Sequence, residues 1–184
     1  MPKPAVPSLR SRTDAVVKPP RAVLFVALAT ASSLLGDQML YAVLPSYYPA
    51  LGLQPYQVGL LLSANRLVRL ASNHVAERLC RRWSLAALLA GALALGAGLN
   101  LVYGMATTFA ALLTARVVWG ACWSCIRQVG LTTVVDGAAD AHIGRLMGFY
   151  SGISRMGSIS GNLLGAMGHD LVGFTATLLI FAAA

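Results

Sequence analysis

The sequence is poor in charge: Asp, Glu, Lys and Arg together make up 11% of its 184 residues, against 57% hydrophobic residues. A water-soluble domain of this size needs more polar side chains than that to cover its surface, so a soluble globular fold is excluded and lipid becomes the solvent. Acidic residues are the scarcest, six against fourteen Lys and Arg. No carboxylates are paired for acid/base work, and His74, His142 and His169 form no H-x-x-x-H pattern, so neither an enzyme nor a metal centre is expected. The three cysteines, Cys80, Cys122 and Cys125, are too few and too irregular for a disulfide framework. Cys122 and Cys125 form a C-x-x-C inside an apolar run and read as small apolar filler rather than a redox pair. The formal net charge of +8 lacks the exposed basic patch interleaved with aromatics that nucleic acid requires, and no cofactor is expected.

What the sequence does have is long apolar runs. Five are long enough to cross about 30 Å of hydrocarbon, which takes roughly twenty helical residues: Ala22 to Pro45, Tyr56 to Val75, Leu85 to Tyr103, Phe109 to Val135 and Leu146 to Met167. A sixth starts near Gly173 and stops at Ala184, about half a span. The expected fold is therefore all-α, a polytopic transmembrane helix bundle over residues 22–184, cut off within its sixth helix. Residues 1–21, rich in proline and basic side chains, read as a flexible cytoplasmic tail. The Ala22 run is too long for the apolar stretch of a signal peptide and reads as the first span.

Lys and Arg fall on one side of this bundle. Lys3, Arg10, Arg12, Lys18 and Arg21 precede the first run, Arg78, Arg81 and Arg82 follow the second, and Arg145 follows the fourth. The alternate loops, Ser46 to Pro55, Gly104 to Thr108 and His169 to Val172, contain neither residue, which places the N-terminus in the cytoplasm.

Six charged residues remain inside the runs: Asp37, Arg66, Arg69, Arg116, Arg127 and Arg155. At about 100° per residue, Gly59, Arg66, Arg69, Asn73 and Glu77 share one face of the second helix. Arg116, Gly120, Trp123 and Arg127 share one on the fourth, and Ser33, Asp37 and Tyr41 one on the first. Charges at this depth must face protein or water, so these stripes imply an internal polar cavity. Arg127 lies close enough to the cytoplasmic end to fit snorkelling as well. The third run holds no ionisable residue, only Asn100, and can face lipid. Asp37 and Arg66 lie at similar depths, so Asp37 is expected either to pair with Arg66 or to carry a proton. On the fifth helix, Gly157, Gly161 and Gly165 form a small-residue ridge suited to close helix contact, with Arg155 pointing nearly opposite.

These segments resemble the major facilitator superfamily. Gly148, eight residues, Gly157, three residues, Gly161 and Asn162, two residues, Gly165 and Ala166 is similar to that family's antiporter motif, with Asn162 in place of proline and Ala166 in place of the last glycine. Arg116 and Gly120 resemble the R-x-x-x-G segment of the helix associated with proton coupling. The charged stretch between helices two and three resembles the family's gating loop in either of two registers. One matches only Arg82; the other begins at Asn73 and places Glu77, Arg78, Arg81 and Arg82 on the charged positions.

The resemblance implies an N-terminal half that moves a small molecule across a bilayer by alternating access, secondary active and proton-coupled, and the alanine-, glycine- and arginine-rich composition suits a bacterial inner membrane. It also implies a missing C-terminal half as partner, against which the glycine ridge would pack, and without which this piece alone would be inactive. The excess of arginine favours an anionic or zwitterionic substrate. The alternative reading is a non-transporting membrane scaffold or assembly subunit, which would leave the intramembrane arginines unexplained.

Overall fold

A computed structural model describes residues 19–106, 108–138 and 142–183. The basic tail through residue 18 lies outside the described residues, and so does Thr107 in the third loop. The elements are α1 (Arg21–Tyr47), a 3-10 turn (Tyr48–Leu51), α2 (Pro55–Arg82), α3 (Leu85–Met105), α4 (Phe109–Asp136), α5 (Ile143–Val172) and α6 (Phe174–Ala183). No strand occurs among the described residues.

The helix starts have local causes. Pro55 occupies the first position of α2, where its missing N–H costs nothing, and Gln57 Oε1 accepts from the Gln54 N–H at 2.8 Å. Ser84 and Thr108 cap α3 and α4, their hydroxyls accepting from the N–H groups of Ala87 and Ala111 at 3.3 and 3.4 Å. Gly173, at φ +90°, takes a backbone conformation closed to most side chains and separates α5 from α6.

On length and composition together α1, α3 and α4 are apolar enough to cross a membrane. Helices α2 and α5, of 28 and 30 residues, are about 42 and 45 Å long and also exceed the hydrocarbon thickness. Their composition is less apolar because they carry the arginine and small polar stripes.

Helix α1 packs along α5 and touches α4; α4 packs along α2 and α3; α3 packs along α6. The core between them is built from side chains such as Val23, Met39, Leu61, Ile126, Val129 and Leu178, all at most 1% exposed. Large apolar residues remain on the outer faces, among them Leu70, Met105 and Leu171. A bilayer is the solvent that makes such a surface stable.

Two expectations need correction. The glycine ridge of α5 does not await a helix from elsewhere, because α1 fills it. A Cβ on Gly161 would lie 2.9 Å from Leu35 O, and one on Gly165 2.8 Å from Met39 Cα. One on Gly157 would overlap the Ala31 backbone. Gly148 takes no part in this contact; it is exposed, with nothing within 4 Å of where a Cβ would stand. The nine residues from Gly148 to Gly157 turn the helix by about 180°, onto its other face. The second correction concerns Glu77, Arg78, Arg81 and Arg82. They lie on the last turns of α2 and not in a loop, and the link to α3 is only Trp83 and Ser84. The helix outruns the apolar run because charged residues form helix readily, and the Arg81 Nη2 to Glu77 Oε1 ion pair at 2.8 Å spans one turn.

Candidate functional site

The centre of the bundle holds a buried polar cluster contributed by α1, α2 and α4. Its position follows from one small residue. Gly120, one turn beyond Arg116 on α4, lets the α2 backbone come close enough that a Cβ there would stand 2.8 Å from Asn65 O. This brings Asn65 and Arg116 to the same level, where the polar face of α1 presents Asp37.

Asp37 Oδ1 accepts from Arg116 Nη1 at 2.5 Å and from Asn65 Nδ2 at 3.2 Å, and Oδ2 accepts from Gln38 Nε2 at 3.5 Å. Arg116 Nε donates to the Leu61 carbonyl at 3.3 Å. Asn65 passes the connection outward, its Oδ1 accepting from Arg69 Nη2 at 2.6 Å. Asp37, Asn65 and Arg116 are all buried, at 3%, 0% and 1% exposure. Ion pairs so far from water gain strength from the low dielectric and lose the hydration of both partners, so the arrangement is safe only while both charges are present.

Aromatic rings cover the cluster. The Arg116 and Arg66 guanidiniums lie 5.1 and 5.5 Å from the centre of the Tyr41 ring, and Arg69 lies 5.4 Å from that of Trp123. The Tyr41 hydroxyl donates to Leu62 O at 3.1 Å and so holds the ring in place. Arg116 Nη2 and Tyr103 Oη are buried with no hydrogen-bond partner among the described residues.

Of the sequence-predicted residues, Asp37, Tyr41, Arg69 and Arg116 therefore meet, with Arg66 at the edge. The partner of Asp37 is Arg116 and not Arg66. Depth along the chain put Arg66 at the right level, but its side chain is exposed and reaches only the Tyr41 ring. Arg127 lines a separate cavity between α2 and α4. Arg155 is exposed on α5, away from the cluster. Asn65 and Gln38 escaped the sequence reading. Asn65 stands one turn before Arg69, a polar residue within the apolar run, and that spacing was its available signal. Gln38 extends the network toward α5, where Asn162 Nδ2 donates to Gln38 Oε1 at 3.5 Å.

The model of the Major Facilitator Superfamily matches residues 26–184, nearly the whole of the described bundle. The chain belongs to the major facilitator superfamily. It is an integral membrane protein of a family whose members carry small molecules across bilayers and are generally not enzymes. No curated protein sequence matches it. In this superfamily member, the R-x-x-x-G segment has a direct structural reading: Gly120 admits α2, and Arg116 reaches the carboxylate that α1 supplies. The antiporter-like glycines Gly157, Gly161 and Gly165 are the seam between α1 and α5. At the end of α2, Arg81 holds the exposed Glu77 carboxyl below its ordinary range through a charged hydrogen bond.

Proposed function

We propose that this chain is the N-terminal repeat of a secondary active transporter that works by alternating access, with Asp37 and Arg116 as its coupling pair. The observation that carries the reading is the fully buried ion pair joining α1 to α4, with Asn65 of α2 on the same carboxylate. A proton on Asp37 would remove the charge that holds Arg116 and Asn65, and three helices would lose their common tie at once. Proton arrival is thereby converted into a change of packing, the kind of two-state element that coupled transport needs.

The repeat spans residues 22–184, preceded by a basic cytoplasmic tail, and faces a C-terminal repeat across the polar stripes. The arginine-free loops lie outside, in a bacterial inner membrane, and the Glu77, Arg78, Arg81 and Arg82 cluster guards the cytoplasmic side. Arg66, Arg69 and Arg127 line the pathway with no ion pair among the described residues, which suits an anionic or zwitterionic substrate and exchange against protons. The test is flux through the full-length protein in proteoliposomes, with an entrapped pH dye and a panel of small organic anions. Solute-dependent proton movement that disappears in Asp37→Asn is expected. Solute flux that persists in Asp37→Asn without change in its proton dependence would remove Asp37 from the coupling role.

A further inference from the structure

One cavity lies outside the buried cluster and is polar for most of its wall. It occupies about 260 Å³ between α2 and α4, lined by Asn73, His74 and Glu77 from one helix and Ser124, Arg127 and Gln128 from the other. Its charges are unequally engaged. Glu77 is already bound by Arg81 at 2.8 Å, and Ser124 shares a 2.7 Å hydrogen bond with Ser72. Arg127 makes no hydrogen bond or ion pair among the described residues, and neither do the side chains of Asn73, His74 and Gln128.

The wall thus combines a guanidinium with two carboxamides and an imidazole, none of them hydrogen-bonded or ion-paired among the described residues, and the carboxylate of Glu77 is paired with Arg81. A planar guanidinium fork matches two oxygens of a carboxylate or phosphate, and carboxamide N–H groups can complete the shell around such an anion. A cation would find little here, because Glu77, the only acidic group in the wall among the described residues, is already paired with Arg81. An apolar ligand would leave these polar groups unpaired.

We infer that this cavity is a binding site for a small oxyanion, a carboxylate or a phosphate, held by Arg127 and flanked by His74, Asn73 and Gln128. The site lies on the same α2 and α4 faces as Arg69 and Trp123, so it continues the polar track that begins at Asp37 and Arg116. It deepens the transport reading by naming where an anion is held, and rests on that reading only for what becomes of the anion afterwards.

The test needs no flux. The chain, purified in an uncharged detergent, is titrated with inorganic phosphate and separately with succinate, each against sodium chloride of matched ionic strength. Binding is read from the rise in thermal unfolding midpoint and from titration calorimetry. Saturable binding of at least one oxyanion is expected, weakened tenfold or more in Arg127→Gln, partly kept in Arg127→Lys and unchanged in Arg21→Gln. The tighter of the two probes assigns the class. If Arg127→Gln does not fold, His74→Ala and Gln128→Ala, at the rim of the same cavity, carry the test, and each should weaken binding several-fold. Absence of saturable binding, or binding that these variants leave untouched, would overturn the site. Transport by the full-length protein without binding here would sink this inference alone, whereas binding without any transport would sink only the transport reading.

Discussion

Arg116 Nη1 and Asp37 Oδ1 lie 2.5 Å apart across the α1 to α4 contact, with their side chains 1% and 2% exposed. Replacing Asp37 with Asn keeps the shape and removes the charge, leaving Arg116 buried without a counter-ion. Loss of one member of a buried pair costs about 3–5 kcal/mol, whereas the double variant Asp37→Asn with Arg116→Gln should cost clearly less than the sum of the singles. Reversible unfolding in mixed micelles would measure the cycle. Arg66→Gln should show no such coupling to Asp37. Additive losses for Asp37 with Arg116, or strong coupling with Arg66, would contradict the pairing.

Glycines on opposite faces of α5 should respond with opposite signs. Gly161→Leu drives a side chain into the backbone of α1 and should destabilise the bundle by about 1–3 kcal/mol or more. Gly148→Ala meets open space and should stabilise by about 0.5–1 kcal/mol, since alanine gives up less backbone freedom in a helix. Equal effects at the two positions, measured by the same unfolding assay, would show that α5 does not present Gly161 to α1.

The helix boundaries were legible because apolar length is set by the bilayer. All five long runs became helices, with limits within a few residues except where α2 and α5 continue past the hydrocarbon edge. The angular arithmetic was also sufficient to place Gly148 opposite Gly157, although the motif match drew the two together. The partner of Asp37 was not legible. Position along a helix gives depth, and three arginines of α2 and α4 lie near enough in depth to compete. Only the approach of α2 to α4 at Gly120, a relation between segments 55 residues apart at Leu61 and Arg116, decides which of them turns inward. Asn65 was missed because an uncharged amide carries little weight beside neighbouring arginines until its own burial is known.

Sidedness gives a third prediction. With Cys80, Cys122 and Cys125 replaced, a single cysteine at Gln54, in the link between the 3-10 turn and α2, should react with an impermeant thiol reagent added outside intact cells. One at Ser84, between α2 and α3, should be protected until the membrane is opened. The reverse pattern would invert the N-terminus-inside orientation proposed from the distribution of Lys and Arg.

Acid should expose the Glu77 to Arg81 pair. The folded carboxyl titrates below its ordinary value of 4.5, so its contribution is present above that pH and disappears as pH falls through the lowered folded value. Both groups are exposed, and the effect is accordingly small. Unfolding midpoints of wild type and Glu77→Gln should converge as the pH is taken from 6 down to 3. A constant gap across that range would mean that the pair contributes nothing that titrates.

The seam between α1 and α5 has a mechanical consequence. Its contacts run from Gly157 to Gly165, the glycines lying against the backbone of Ala31, Leu35 and Met39 with the first side-chain carbons of Gln38 and Met39 packed beside it, over a length of about 12 Å. Side-chain layers can slide by exchanging rotamers; two backbones in direct touch cannot. Close packing of this kind should make the two helices move as a pair, so that a displacement of α5 carries α1, and Asp37 on it, along.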